Sequence, residues 1–261
     1  MSVDEFDLQM HHVWVMKALQ IIDKLFSENG IPYFLIEGSA LGAVRHKGII
    51  PWDDDVDIGV FLKDRDRVSF LLEDNLPDEF QWIDKRTDDK YPRFFGKVVH
   101  NGRGCIDIFP LIKTGEDWSD IKKQWRKRKV LFKLYKAKLN YASYMETRNT
   151  KERIKVAVAK FLSAFVSRDY ILRKSLENEQ LYEDNDNNTY FINLYGAYSA
   201  EKELIKTEWI SNGKKLAFGD GEYPAFENTH DYLTNLYGDY MTPPPMDKRI
   251  PHHEEIYNTN N

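Results

Sequence analysis

The chain has 261 residues, 42% of them apolar and 30% charged, with a net charge of −5. That content supplies a substantial core, in one large domain or in a core with an appended helical part. A single cysteine, Cys105, excludes an internal disulfide and fits a reducing compartment. The first twenty residues show no basic start followed by an apolar run, so no signal peptide is expected.

Residues 8–29 carry apolar side chains at helical spacing (Val13, Met16, Leu19, Ile22, Leu25, Phe26) and stop at Asn29-Gly30. Residues 33–36 read as a short buried strand, and 39–46 as the start of a helix with Gly38-Ser39 as its turn and cap. A strand over 56–62 follows, then a helix over 65–75 and a strand over 80–84. Residues 94–100 and 105–109 form a hairpin pattern through Asn101-Gly102-Arg103-Gly104. Helices are expected near 118–140, 150–166 and 168–183. The C-terminal part reads as loop-rich, with strands near 190–194 and 215–218 and a helix over 230–237 ended by Gly238. The fold class expected is α+β, with a mixed sheet, flanking helices, a helical insert and a C-terminal extension. The divisions expected are 1–117 as catalytic core, 118–183 as basic helical region and 184–261 as extension.

Charge is unevenly spread. Residues 121–174 hold 17 Lys and Arg against three acids, a net of +14, so the remainder carries −19. Such a split fits a face for a polyanion or an anionic membrane surface, or a solvated helical pair. The longest candidate membrane stretch, residues 156–166, is interrupted by Lys160. It falls far short of the roughly 20 residues that a spanning helix needs. A soluble or peripheral protein is expected, and no nucleic-acid-binding motif accompanies the basic run.

The chemistry concentrates in residues 36–60, where Asp53, Asp54, Asp55 and Asp57 fall within five positions ahead of Ile58 and Val60. So many carboxylates together are costly unless a cation sits among them, and hard divalent ions such as Mg²⁺ or Mn²⁺ take oxygen ligands. Residues two apart on a strand share a face, so Asp55 and Asp57 project together. Asp107, between apolar neighbours in Ile106-Asp107-Ile108-Phe109, is the best third acid from a neighbouring strand. Gly38-Ser39 opens a helix whose N–H groups suit an incoming phosphate.

The strings GSALGAVRHKGIIPWDDDVDI (38–58), IDIFPL (106–111), YLTNLYGDYMTPPP and a late His-His resemble the LicD/fukutin family of phosphotransferases, within the nucleotidyltransferase superfamily. The resemblance implies a nucleotidyltransferase-like core and transfer of phosphocholine or a polyol phosphate from a CDP-linked donor to a glycan. It implies a cell-surface glycan, teichoic-acid-type or lipid-linked precursor as acceptor with release of CMP; the single cysteine, the unmet signal-peptide pattern and the basic helices add the expectation of a cytoplasmic enzyme, peripheral at the inner membrane face. Asp55, Asp57 and Asp107 are then the catalytic and metal-holding residues, with one or two ions left open, and Ser39 and its backbone meet the phosphate.

Other residues carry two readings each. Asp53 and Asp54 join the metal site, or one caps the turn after Pro51-Trp52. Arg45, His46 and Lys47 meet donor phosphates or pair with the aspartates. Lys97 is a phosphate contact or an edge-strand solubiliser. Trp52 stacks on a base or an ammonium group, or simply packs. His252 touches substrate only by family resemblance. Two other functions compete: a nucleotidyltransferase attaching NMP with release of pyrophosphate, and a non-catalytic Ca²⁺ module. Asp53, Asp55 and Asp57 match positions of an EF-hand loop, although Ile58 stands where that loop needs glycine.

Overall fold

The computed structural model describes residues 7–140, 150–210 and 213–249. The N-terminal helix α1 (Leu8–Glu28) is capped by Asp7, whose carboxylate accepts from the N–H groups of Gln9 and Met10. It buries Val15, Ala18, Leu19, Ile22 and Phe26, the stripe set by its apolar spacing. Strand β1 (Tyr33–Leu35) leads into α2 (Glu37–Arg45), then β2 (Val56–Phe61), α3 (Arg65–Asn75) and β3 (Phe80–Ile83). Next come β4 (Gly96–His100), β5 (Arg103–Lys113) and the helices α4 (Trp118–Lys138), α5 (Thr150–Ala164) and α6 (Arg168–Glu179). The remainder supplies β6 (Tyr190–Ile192), β7 (Leu204–Lys206), the one-turn α7 (Thr207–Ile210), β8 (Lys214–Phe218), β9 (Gly221–Ala225) and α8 (Thr229–Tyr237).

The described strands form one mixed sheet in the order β3-β4-β5-β2-β1-β9-β8, with β6 on the far end of β5 and β7 beside β6. β2 runs parallel to β5 and β1 parallel to β9, while the other pairings are antiparallel. Central β2 and β5 read as near-continuous apolar runs because both of their faces are covered. The acidic cluster therefore enters the middle of the sheet, where three strands run side by side.

Three sequence expectations need correction. Helix α2 starts at Glu37, with Ile36 as N-cap; Gly38 and Ser39 lie inside its first turn, and the Ser39 N–H donates to the Ile36 carbonyl at 3.0 Å. The hairpin turn is only Asn101-Gly102, with φ of 49° and 75°, so β5 begins at Arg103 and runs on to Lys113. β7, α7 and β9 have no counterpart in the sequence reading, because short strands in a loop-rich stretch lack a period to read. Residues after Asp55 continue directly into β2, which leaves no helix-flanked loop for the Ca²⁺ module. α8 does end at Tyr237, where Gly238 takes a φ of 76°.

Candidate active site

Asp57 on β2 and Asp107 on β5 are direct partners in the parallel ladder, and Lys97 on β4 is paired with Asp107 on its other side. Asp55, one residue before β2, points the same way. Carboxylate oxygens of Asp55, Asp57 and Asp107 lie within 4.8 Å of one another, and those of Asp53, Asp54 and Asp55 form a second, overlapping group. Such crowding shows in the acidity of Asp57. Burial, then the charges of Asp55, Glu37, Asp107 and Asp53, push its carboxyl well above the ordinary carboxylate range. An all-oxygen donor set under that mutual repulsion fits a hard divalent cation.

Local structure holds each acid in place. The Ser39 hydroxyl accepts the Asp57 N–H at 2.7 Å, which ties the first turn of α2 to the start of β2. A methyl group on Gly38 would come 3.0 Å from Asp53 Oδ2 and 3.7 Å from Asp57 Oδ2, so the glycine gives the carboxylates their room. Helix α1 grips the acidic loop from outside. His11 Nε2 donates to the carbonyls of Asp54 at 2.7 Å and Gly104 at 3.1 Å, and His12 Nε2 donates to that of Asp53 at 2.6 Å.

Lys97 overturns its edge-strand reading. β4 lies between β3 and β5, the side chain is 0% exposed, and its Nζ sits 2.8 Å from Asp107 Oδ1. A lysine can be buried there because a carboxylate neutralises it. The Arg45 Nη1 donates to the Tyr240 carbonyl at 3.0 Å, and the His46 ring meets Trp52 edge to face at 5.7 Å. Burial, then the neighbouring Arg45 and Arg249, hold the His46 imidazole below its usual range. Lys47 is exposed, with a φ of 60°, and its carbonyl accepts the Gly219 N–H at 2.7 Å. Trp52 is half-buried and carries the Arg249 guanidinium 5.0 Å over its ring. His252 lies outside the described residues.

Sequence reasoning missed the acid beside the cluster. Glu37 is buried with a φ of 43°, a left-handed conformation unusual for a side chain of this kind. Its N–H donates to the Tyr232 hydroxyl at 3.0 Å, and Asn193 Nδ2 donates to its Oε1 at 2.5 Å. Burial raises its pKa to about 7, against the lowering by Asn193, and Asp107 adds to the rise. Glu203, also buried, is raised to about 8 by burial and by Glu37. No local pattern could have announced this network, since Asn193 and Tyr232 arrive from 156 and 195 residues away.

A cavity of about 370 Å³, lined by Val60, Arg65, Trp82, Lys85, Phe94 and Ile108 among others, opens elsewhere. Ile108 alternates with Asp107 along β5, so this cavity faces the opposite side of the sheet, and none of the cluster acids lines it.

Comparison with known proteins bears on this geometry. Residues 30–144, which contain all of the clustered acids and Lys97, match the family described as LicD/FKTN/FKRP, nucleotidyltransferase domain. The lipopolysaccharide cholinephosphotransferase LicD of Haemophilus influenzae is 25% identical over 275 aligned positions, covering 93% of this chain and 94% of the relative. The ribitol 5-phosphate transferase FKRP of Homo sapiens is 60% identical over 35 residues, 13% of this chain and 7% of its own length. An uncharacterised Rickettsia typhi protein is 37% identical over 126 residues, 46% of this chain and 38% of that one. A domain match over the acidic centre and an end-to-end relative agree on what this chain is similar to: residues 30–144 match the LicD/FKTN/FKRP nucleotidyltransferase domain, and the rest aligns with a cholinephosphotransferase of that kind.

Proposed function

We propose that this protein transfers a phospho-substituent from a CDP-activated donor to a hydroxyl of a cell-surface glycan or teichoic-acid-type precursor, releasing CMP. Phosphocholine is the first choice of cargo, because the relative aligned over nearly the whole chain is named for it; a polyol phosphate is the second. The observation that carries the reading is the convergence of Asp55, Asp57 and Asp107 from two adjacent parallel strands.

Asp55, Asp57 and Asp107, with Asp53 beside them, would hold Mg²⁺ or Mn²⁺. Such an ion supplies charge neutralisation for the phosphoanhydride and for the leaving phosphate. The chain's own groups do the rest. The acceptor oxygen bonds to the distal phosphorus, the anhydride bond breaks, and CMP leaves with the electron pair. The hydroxyl proton passes to a cluster carboxylate, assigned to Asp107, whose Oδ1 lies 2.8 Å from Lys97 Nζ. A transition state of this kind asks mainly for positioning and charge complementarity, so an acid of modest basicity suffices. Arg45, the last residue of α2, and His46 and Lys47 after it are assigned to the donor phosphates, and Gly38 and Ser39 to the transferred phosphate. The exposed Lys123, Arg126, Lys127 and Lys129 of α4 would attract an anionic, lipid-linked acceptor.

The test is a donor screen. The chain is incubated with Mg²⁺ and, separately, CDP-choline, CDP-glycerol or CDP-ribitol, with a glycan acceptor, and the nucleotide product is identified. CMP from one donor supports the reading. Pyrophosphate released from a nucleoside triphosphate, with no CMP from any CDP donor, would establish the NMP-transfer alternative instead.

A further inference from the structure

Helix α5 has two apolar faces, and only one of them is packed. Val156, Ala159 and Ser163 are buried toward α4. On the other side Ile154 is 60% exposed, Val158 51%, Phe161 66%, Leu162 48% and Phe165, one residue past the helix, 74%. At 3.6 residues per turn these five positions share an arc of about 100°. The rings of Phe161 and Phe165 meet edge to face at 5.1 Å within it, so they present one continuous hydrocarbon surface. Basic side chains border the arc: Lys155 lies just beyond Leu162 on one side, Arg153 and Lys160 lie on the other, and Lys151 stands at the N-terminal end of the arc itself.

We propose that α5 is an in-plane membrane anchor that beds its Phe161–Phe165 face into the surface of an anionic lipid bilayer. An apolar stripe between rows of cations is the pattern of a helix lying at the headgroup boundary, with the aromatics below and the basic groups among the phosphates. α4, packed on the buried side of α5, extends the positive field with exposed Lys123, Arg126, Lys127, Lys129 and Lys133. Charge also argues against a second copy of the chain as the occupant. Two such faces brought together would set Lys151, Arg153, Lys155 and Lys160 against their own kind. None of the described helices is long and apolar enough to cross a membrane, so the contact is with one surface. Its apolar part distinguishes this contact from simple electrostatic attraction: salt should weaken it and leave a remainder. The anchor does not depend on the transferase reading, and either can fail alone.

The experiment is flotation of the full chain with vesicles of phosphatidylcholine alone or of phosphatidylcholine mixed with phosphatidylglycerol. The expected result is co-flotation with the mixed vesicles, weakened several-fold by added salt. The double variant Phe161→Ser, Phe165→Ser should lose about tenfold in partitioning while keeping its melting temperature, since both side chains are exposed. Its thermal shift with Mg²⁺ and CDP-choline should match that of the parent, which separates the anchor from the acid site. Three results would each overturn the proposal: no flotation with mixed vesicles, equal flotation of the double variant, or a solution dimer of the parent that the double variant converts to monomer.

Discussion

Asp57 and Asp107 stand side by side on parallel strands, and the charge that makes this tolerable on one flank is Lys97, salt-bridged to Asp107 at 2.8 Å. The row Lys97-Asp107-Asp57 crosses three adjacent strands near the middle of the sheet, so a single ladder sets the spacing of all three groups. A cation partner on one side and a crowd of carboxylates on the other produce an asymmetric site, open to a divalent ion where the acids meet.

Removing any of the three converging acids should end turnover and spare the fold. Asp57→Asn and Asp107→Asn are each expected to lower kcat by about a thousandfold, the several kcal/mol of charge stabilisation that a metal site supplies. Steady-state CMP release measures the loss, and far-UV circular dichroism checks the fold. The stabilisation of the parent by Mg²⁺ with donor should disappear in both variants.

Lys97→Met keeps the apolar stem and strips the charge. Asp107 would then be a buried carboxylate without its cation, and breaking a buried pair from one side costs about 3–5 kcal/mol. Urea unfolding should report a loss of that order. A variant as stable as the parent would show that the ion pair does not stabilise the folded state.

Gly38→Ala separates the site from the fold in the opposite sense. Alanine suits a helix better than glycine by about 1 kcal/mol, so thermal stability should hold or rise. The added methyl group would nevertheless lie 3.0 Å from Asp53 Oδ2, so that carboxylate must give by a few tenths of an ångström. Lower activity and weaker Mg²⁺-dependent donor binding at an unchanged melting temperature is the expected pair of results.

Glu203 and Glu37 make a prediction about pH. Their folded pKa values, about 8 and about 7, lie above the ordinary 4.5, so the native state holds protons that the unfolded chain has released. Stability is then fully present below about pH 4.5 and declines as pH rises through 7 and 8. Glu203→Gln preserves an oxygen for the Tyr198 N–H, now accepted at 2.7 Å, and removes the charge. The melting temperature of the variant should exceed that of the parent at pH 8.5 by more than at pH 5, a comparison that needs only two thermal scans.

Neutralising the exposed cations of α4 (Lys123, Arg126, Lys127 and Lys129 to Gln) together with the half-buried Lys122 should raise the KM for an anionic acceptor and leave donor binding unchanged. Arg128 is left out of that set. The charge run makes it look like one more surface cation, but it is buried against Trp125, Phe132 and Tyr195, with its guanidinium 4.5 Å from the Trp125 ring. Losing it would cost packing, and a stability defect would confuse the kinetic result.

Much of the site was legible without coordinates because its parts obey short-range rules. The two-residue strand period places Asp55 and Asp57 on one face, an acid between Ile106 and Ile108 demands a partner, and the long acidic string carries the family. The order of helices and strands through residue 179 was readable for the same reason, since apolar spacing and Asn-Gly turns act locally, although the start of α2 and both ends of β5 were not. What the chain order could not disclose was adjacency. Only the folded sheet decides that β4 is interior, which turns Lys97 from a solubiliser into the counter-ion of Asp107. Only packing brings Asn193 and Tyr232 to Glu37, puts α1 histidines on the acidic loop, and leaves one apolar face of α5 exposed. The physical reason is range: propensity and periodicity act over a few residues, whereas burial, pairing and field are set by whatever the fold brings near.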